Sequence, residues 1–133
     1  MKKLGKRGSI IIFTIFILLV ISGCNSGPTI IDPSVPLEMS STLIIRKCAV
    51  IEFNGRDTGW NLFDTKWGIM GGDRRVVIPS GTHTLKVFHR SDSGMMMVER
   101  TSPLTTFEFL PGRTYLVTMG GTTNRPVAII REQ

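Results

Sequence analysis

Apolar residues fall in two distinct patterns along the chain. Residues 10 to 21 form one unbroken apolar run, interrupted only by Thr14, whereas from residue 42 onward apolar positions come in short runs separated by turn-forming residues. No segment sustains the 3.6-residue period of an amphipathic helix. Residues 42 to 53 are rich in Ile and Val and end at Asn54-Gly55, a strong hairpin signal because both central residues of a type I′ turn need positive φ. Residues 56 to 62 are the expected return strand, and residues 63 to 73 are irregular, with Gly68, Gly71 and Gly72 breaking any regular element. A strand from residue 75 turns at Pro79-Ser80-Gly81 and returns over residues 83 to 89. Further strands are expected at 95 to 100, 104 to 110, 114 to 119 and 126 to 131. Pro111-Gly112 suits a type II turn, whose twist fits a tight hairpin poorly and leaves a join between two sheets as the alternative.

Alternation supports half-buried sheets: Leu85 and Val87 stand against Thr84 and Lys86, and Phe107 and Phe109 against Thr106 and Glu108. The expected fold is therefore all-β, an antiparallel β-sandwich of about seven to eight short strands spanning residues 42 to 133. Residues 25 to 41 hold Pro28, Pro33 and Pro36 with Gly27 and several serines, a composition expected to form a semi-extended tether. Ile30, Ile31 and Val35 are the residues of that stretch able to pack on the domain.

Charge changes the picture of the first 23 residues. The 16 Lys+Arg and 10 Asp+Glu give +6 and a pI near 9.9, but Lys2, Lys3, Lys6 and Arg7 precede the apolar run and no carboxylate occurs before Asp32. Without residues 1 to 23 the charge is +2, which removes the case for a nucleic-acid partner. A cationic start, an apolar run of 12 and the small pair Ser22-Gly23 make a secretory signal peptide. The run is too short for the ~20 residues a membrane-spanning helix needs. Ile21-Ser22-Gly23-Cys24 resembles the lipobox of bacterial lipoprotein signal peptides. That resemblance implies cleavage before Cys24, a diacylglyceryl group on its sulfur, and a membrane as first partner. Asn25, which is not aspartate, implies the outer membrane in a diderm and otherwise the outer face of the cytoplasmic membrane. A lipidated Cys24 cannot pair with Cys48, the second of the chain's 2 cysteines, which is expected to be a buried thiol.

The domain carries a second resemblance. Val77-Ile78-Pro79-Ser80-Gly81-Thr82-His83-Thr84-Leu85, followed by Phe107-Glu108-Phe109-Leu110-Pro111-Gly112-Arg113-Thr114-Tyr115-Leu116, is similar to motifs of small bacterial envelope domains of unknown function and of the PEGA domains. It spans residues 43 to 117 and implies a β-sandwich more than an activity. Phe88-His89-Arg90-Ser91 stands where PEGA domains usually place Gly-Tyr, and the insertion at 63 to 73 is longer than the pattern.

Candidate chemistry is sparse. His83 and His89, six residues apart on one strand, would stand about 20 Å apart and cannot share a metal; His83 is expected to bond to the adjacent turn. Met95, Met96 and Met97 alternate faces and cannot converge on one ion, so core filling and edge cover are expected. Trp60, Phe63 and Trp67 bracket the irregular loop and form either a binding surface or a satellite core. No catalytic residue, metal set or cofactor is expected. The expected role is structural or binding, in a membrane-anchored envelope protein; the alternative is an accessory that binds an envelope protein or a cell-wall glycan through the Trp60 to Trp67 loop, and an enzyme or metal-binding protein is the weakest reading.

Overall fold

Two stacked sheets answer the alternation of the sequence. The computed structural model describes residues 27–133; the expected signal peptide, residues 1 to 23, and Cys24 lie outside the described residues. Among the described residues the strands are β1 (Thr29–Ile30), β2 (Ser40–Arg46), β3 (Ala49–Phe53), β4 (Arg56–Asp57), β5 (Asp73–Pro79), β6 (Gly81–Ser93), β7 (Met96–Thr101), β8 (Thr105–Phe109), β9 (Thr114–Gly121) and β10 (Pro126–Glu132). One sheet runs β1-β5-β2-β9-β10. The other runs β4-β3-β6-β7, with β8 also paired to β6. Leu43, Ile45, Val76, Ile78 and Val117 of the first sheet meet Val50, Leu85, Val87 and Phe109 of the second in a solvent-excluded core. The chain is thus the expected β-sandwich, with one sheet mixed: β1 lies parallel to β5, and β2 parallel to β9.

The apolar run from 42 to 53 serves both sheets. Leu43 and Ile45 point inward from odd positions and Cys48 and Val50 from even ones, so a continuous strand would expose one pair. Lys47, at φ 55°, breaks the run, resets the phase and carries the chain from β2 to β3. A register shift between Val50 and Glu52 then returns Phe53 to the inner side. Asn54 and Gly55 both have positive φ, at 53° and 77°, as a type I′ turn requires. The return strand, however, stops at Asp57, and residues 58 to 72 form a loop.

Neither proline-glycine turn closes a hairpin. Pro79-Ser80-Gly81 leads from β5 in one sheet to β6 in the other, and Pro111-Gly112 leads from β8 to β9, again between sheets. These corners form one end of the sandwich, the top. Lys47 marks the other end, the base.

The stretch expected as a tether up to residue 41 is in part docked. Thr29–Ile30 pairs along β5, the Ile31 N–H donates to Val77 O at 3.0 Å, and Ile31 packs on the core. A single 3-10 turn at Leu37–Met39 then leads into β2. Pro28, Pro33 and Pro36 flank the paired residues, which leaves the Ile31 N–H free to bond while Ile31 covers the open side of the core.

Tyr115 fastens the top. Its ring meets Phe107 and Phe109 edge-on at 5.4 and 5.1 Å, and its hydroxyl accepts the Leu110 N–H at 2.8 Å. Ser41 Oγ donates to Leu110 O at 2.7 Å from the neighbouring strand. Tyr115→Phe keeps the rings and removes the acceptor. It is expected to lower the urea midpoint by an amount worth about 1 kcal/mol, with the m-value unchanged.

Candidate functional site

The loop from 58 to 72 takes the place of a longer β4. Thr58 N–H donates to Ile51 O at 3.0 Å, and Val50 N–H to Trp67 O at 2.8 Å, so loop carbonyls and amides complete the edge of β3. Gly68 permits the approach. At φ 141°, it lies so close to β3 that a Cβ there would stand 2.1 Å from Cys48 O and 2.6 Å from the Ala49 Cα. Its carbonyl accepts the Trp60 indole N–H at 2.8 Å.

Trp60, Phe63 and Trp67 consequently part company. Trp67 is 7 % exposed and packs into the core against Phe53, ring centroids 5.2 Å apart. Trp60 is half-buried against Phe88 at 5.5 Å. Phe63 is 99 % exposed beside Leu62 at 61 %. Asn61 Oδ1 accepts the N–H groups of Phe63 and Asp64 at 2.7 and 2.9 Å, which folds the tip into a tight turn and holds both side chains outward. Leu62 escaped the sequence reading, which tracked aromatic residues; its signal was adjacency to Phe63 between two turn-forming polar residues.

Two open clefts follow the edge where β1 faces β4. The first, about 790 Å³, is lined by Gly27, Pro28 and Thr29 on one side and by Phe63, Lys66, Arg74 and Arg75 on the other. Asp64 pairs with Lys66 at 3.6 Å and Asp73 with Arg46 at 3.1 Å, while Arg74 donates to Thr65 Oγ1 at 3.1 Å. Among the described residues neither Arg74 nor Arg75 has a carboxylate partner. The second cleft, about 640 Å³, has Phe53 and Trp67 as its floor and Asn54, Arg56, Asp57 and Asp32 at its rim.

His83 borders that second cleft with both nitrogens engaged. Asn54 Oδ1 accepts the Thr84 N–H at 3.0 Å, which turns the Asn54 amide Nδ2 toward His83 Nδ1 at 2.8 Å. Nδ1 therefore accepts, and Nε2–H donates to Pro79 O at 2.6 Å, the bond to the adjacent turn that the sequence suggested. Both ring nitrogens are thus engaged within the protein. His89 accepts from Arg100 Nη2 at 3.2 Å, and burial followed by that guanidinium holds its pKa below the usual histidine value. Among the described residues no group of three His, Cys, Asp or Glu side chains could hold a metal ion.

The methionines depart from expectation. Met95, Met96 and Met97 are 104, 70 and 52 % exposed at the tip of the β6–β7 ribbon, so they fill no core. The reason lies in register: β3 begins opposite Phe88, and β6 continues five residues past it with only β7 beside it. Cys48 is fully buried, its Sγ 3.7 Å from Val117 O, and burial pushes the thiol pKa up to about 12.

No protein-family model, no curated protein and no solved structure matches the chain.

Two outcomes follow from these placements. Trp67→Ala is expected to cost about 3–5 kcal/mol in chemical denaturation, and Phe63→Ala to stay within about 0.5 kcal/mol of the parent. Cys48 should resist a thiol-alkylating reagent at pH 8 when folded and react in denaturant, as read by intact mass. Its thiol ionises near 9 in the unfolded chain and near 12 in the folded one. The unfolded state thus holds fewer protons between those values, and stability falls as pH rises from 9 toward 12; Cys48→Ala removes that part of the slope.

Proposed function

We propose that this protein is a lipid-anchored component of a bacterial cell envelope whose β-sandwich has a binding or structural role and no catalytic one. The observation that carries the anchor is the order of residues at the N-terminus. A cationic start, an apolar run too short to span, and Ile21-Ser22-Gly23-Cys24 stand in the sequence expected of a lipoprotein signal. Two acyl chains on one sulfur hold a protein on a bilayer where a single chain gives marginal binding. The domain begins close behind: Gly27, three residues after Cys24, is already part of the described fold. Similarity to PEGA-like envelope domains in the strand-turn motifs supports the same compartment. Asn25 favours the outer membrane in a diderm cell.

The binding or structural role is supported by what the polar side chains do. His83 and Cys48, the groups with catalytic potential, are committed to a turn and to the core. The accessible surface instead offers an exposed aromatic tip and open clefts. A second reading, an accessory that grips an envelope protein or a cell-wall glycan through the 60 to 67 loop, now rests on Phe63 and Leu62, since Trp67 is spent on the core and Trp60 on Phe88.

Metabolic labelling with an alkyne fatty acid tests the anchor. Wild-type protein is expected to carry label and to yield an N-terminal peptide with the mass of diacylglyceryl-Cys24, while Cys24→Ala carries none. Exported wild-type protein without label would overturn the proposal.

A further inference from the structure

We propose that the base of the sandwich is a membrane-contacting surface, in which Leu62-Phe63 and the Met95 to Met97 tip enter the headgroup region of the bilayer holding the anchor while Arg74 and Arg75 meet anionic phospholipid. The proposal rests on the anchor at Cys24. Three residues of extended chain cover at most ~11 Å, so a lipidated Cys24 holds Gly27 within that distance of the bilayer. Gly27 lines the same cleft as Phe63, Arg74 and Arg75. Whatever rotation the domain adopts, this cleft cannot leave the membrane surface by more than the length of those three residues and its own width.

The side chains at this end fit such a neighbour. Phe63 and Leu62, held outward by Asn61, are exposed among the described residues. The β6–β7 ribbon leaves the sandwich at the same end. Strand β3 starts at the base opposite Phe88, and β6 runs toward the base and five residues beyond it, about 16 Å at strand rise, to a tip of three exposed methionines. The β9–β10 ribbon likewise continues from Val117, the partner of Ile45 near the end of β2, to Gly121.

Charge is sorted in the same sense. By strand register and the lining of the cleft, the base and its two ribbons hold eight of the twelve Lys and Arg residues after Cys24 but four of the ten carboxylates; Arg46, Lys66 and Arg90 are paired with carboxylates of that end, while Arg74 and Arg75 have no such partner among the described residues. Glu38, Asp57, Glu108 and Glu132 lie toward the top. A domain carrying only +2 after Cys24 thereby turns a cationic, apolar-tipped end toward its own anchor, and buried apolar area with surface cations is what drives interfacial binding to anionic lipid. Tethering raises the local concentration of that one partner above any free protein.

The test uses full-length lipidated protein reconstituted into vesicles of phosphatidylcholine and phosphatidylglycerol, with an environment-sensitive dye on Phe63→Cys. Cys48 is buried and Cys24 blocked, so labelling is selective; Glu38→Cys at the top is the control. The dye at 63 is expected to shift to the blue and to lose several-fold of its quenching by aqueous iodide, with no change at 38. Arg74→Glu with Arg75→Glu should reverse most of that protection, as should vesicles of phosphatidylcholine alone. A lipidated protein whose dye at 63 stays in water overturns the surface and leaves the anchor standing. Protection at 63 that appears only in native membranes assigns the tip to a protein partner and overturns it too. Protein lacking the diacylglyceryl mass on its N-terminal peptide overturns the anchor, and this surface with it.

Discussion

The close approach of Gly68 to β3 decides how this sandwich is finished. β3 is one strand from the edge, and β4 covers only its last two residues, Glu52 and Phe53. The rest of its outer edge would face water as unpaired backbone, a liability for any sheet. The chain meets it with an irregular segment in place of a strand: the Trp67 carbonyl accepts from Val50, and the Gly72 carbonyl accepts from Lys47 where the chain leaves β2. A side chain at 68 would collide with Cys48 and Ala49. Because the backbone at 68 is pressed onto β3, the residue before it must enter the core and the indole of Trp60 can reach its carbonyl. What lies between those two points, Leu62 and Phe63, is left outside by geometry.

Regular packing was therefore legible and irregular packing was not. Period-two alternation identified Leu85, Val87, Phe107 and Phe109 as inward residues because each sits in an unbroken strand. Asn54-Gly55 was legible because its requirement for positive φ is local. The break at Lys47 was written in the sequence as a change of phase, from Leu43 and Ile45 to Cys48 and Val50, but a lysine at φ 55° is an uncommon place to turn, and continuity of Ile and Val hid it. The poor fit of a type II turn to a tight hairpin made a join between sheets legible at Pro111-Gly112, whereas turn chemistry at Pro79 said that the chain bends without saying into which sheet it goes. Their roles as corners depend on which strands pair at long range. For the same reason the docking of Thr29–Ile30 on β5 could not be read from a proline-rich stretch alone.

Candidate residues divided along the same line. Neighbours in sequence do not imply neighbours in environment when a loop is pinned at both ends: one tryptophan is core, the other half-buried, and the phenylalanine between them is solvent-facing. Core filling by one face of Met95 to Met97 and edge cover by the other is what methionine on a strand usually does. The length of β6, set by where β3 begins, put them beyond any core to fill.

Exposed apolar side chains of this kind carry a cost that constrains the reading of function. Large exposed apolar patches favour association; Met97 Sδ accepts from Arg90 Nε at 2.7 Å across the ribbon, but the turns at Asn61 and Gly94, formed through an amide side chain and a φ of 63°, do not need Phe63, Met95 or Met96. Their position is the informative part. On the proposed anchor, both tips belong to the end of the sandwich whose chain leads to Cys24 within three residues. At that end the aqueous exposure that makes them costly is replaced by an interface that favours aromatic and thioether groups. Leu37, Met39 and Leu110 are exposed at the top as well, so what marks the base is the meeting of apolar tips with Arg74 and Arg75. The anchor reading thus accounts for a surface that strand packing alone leaves unexplained, and the cationic side chains around the base are those that an anionic bilayer would hold in register with it.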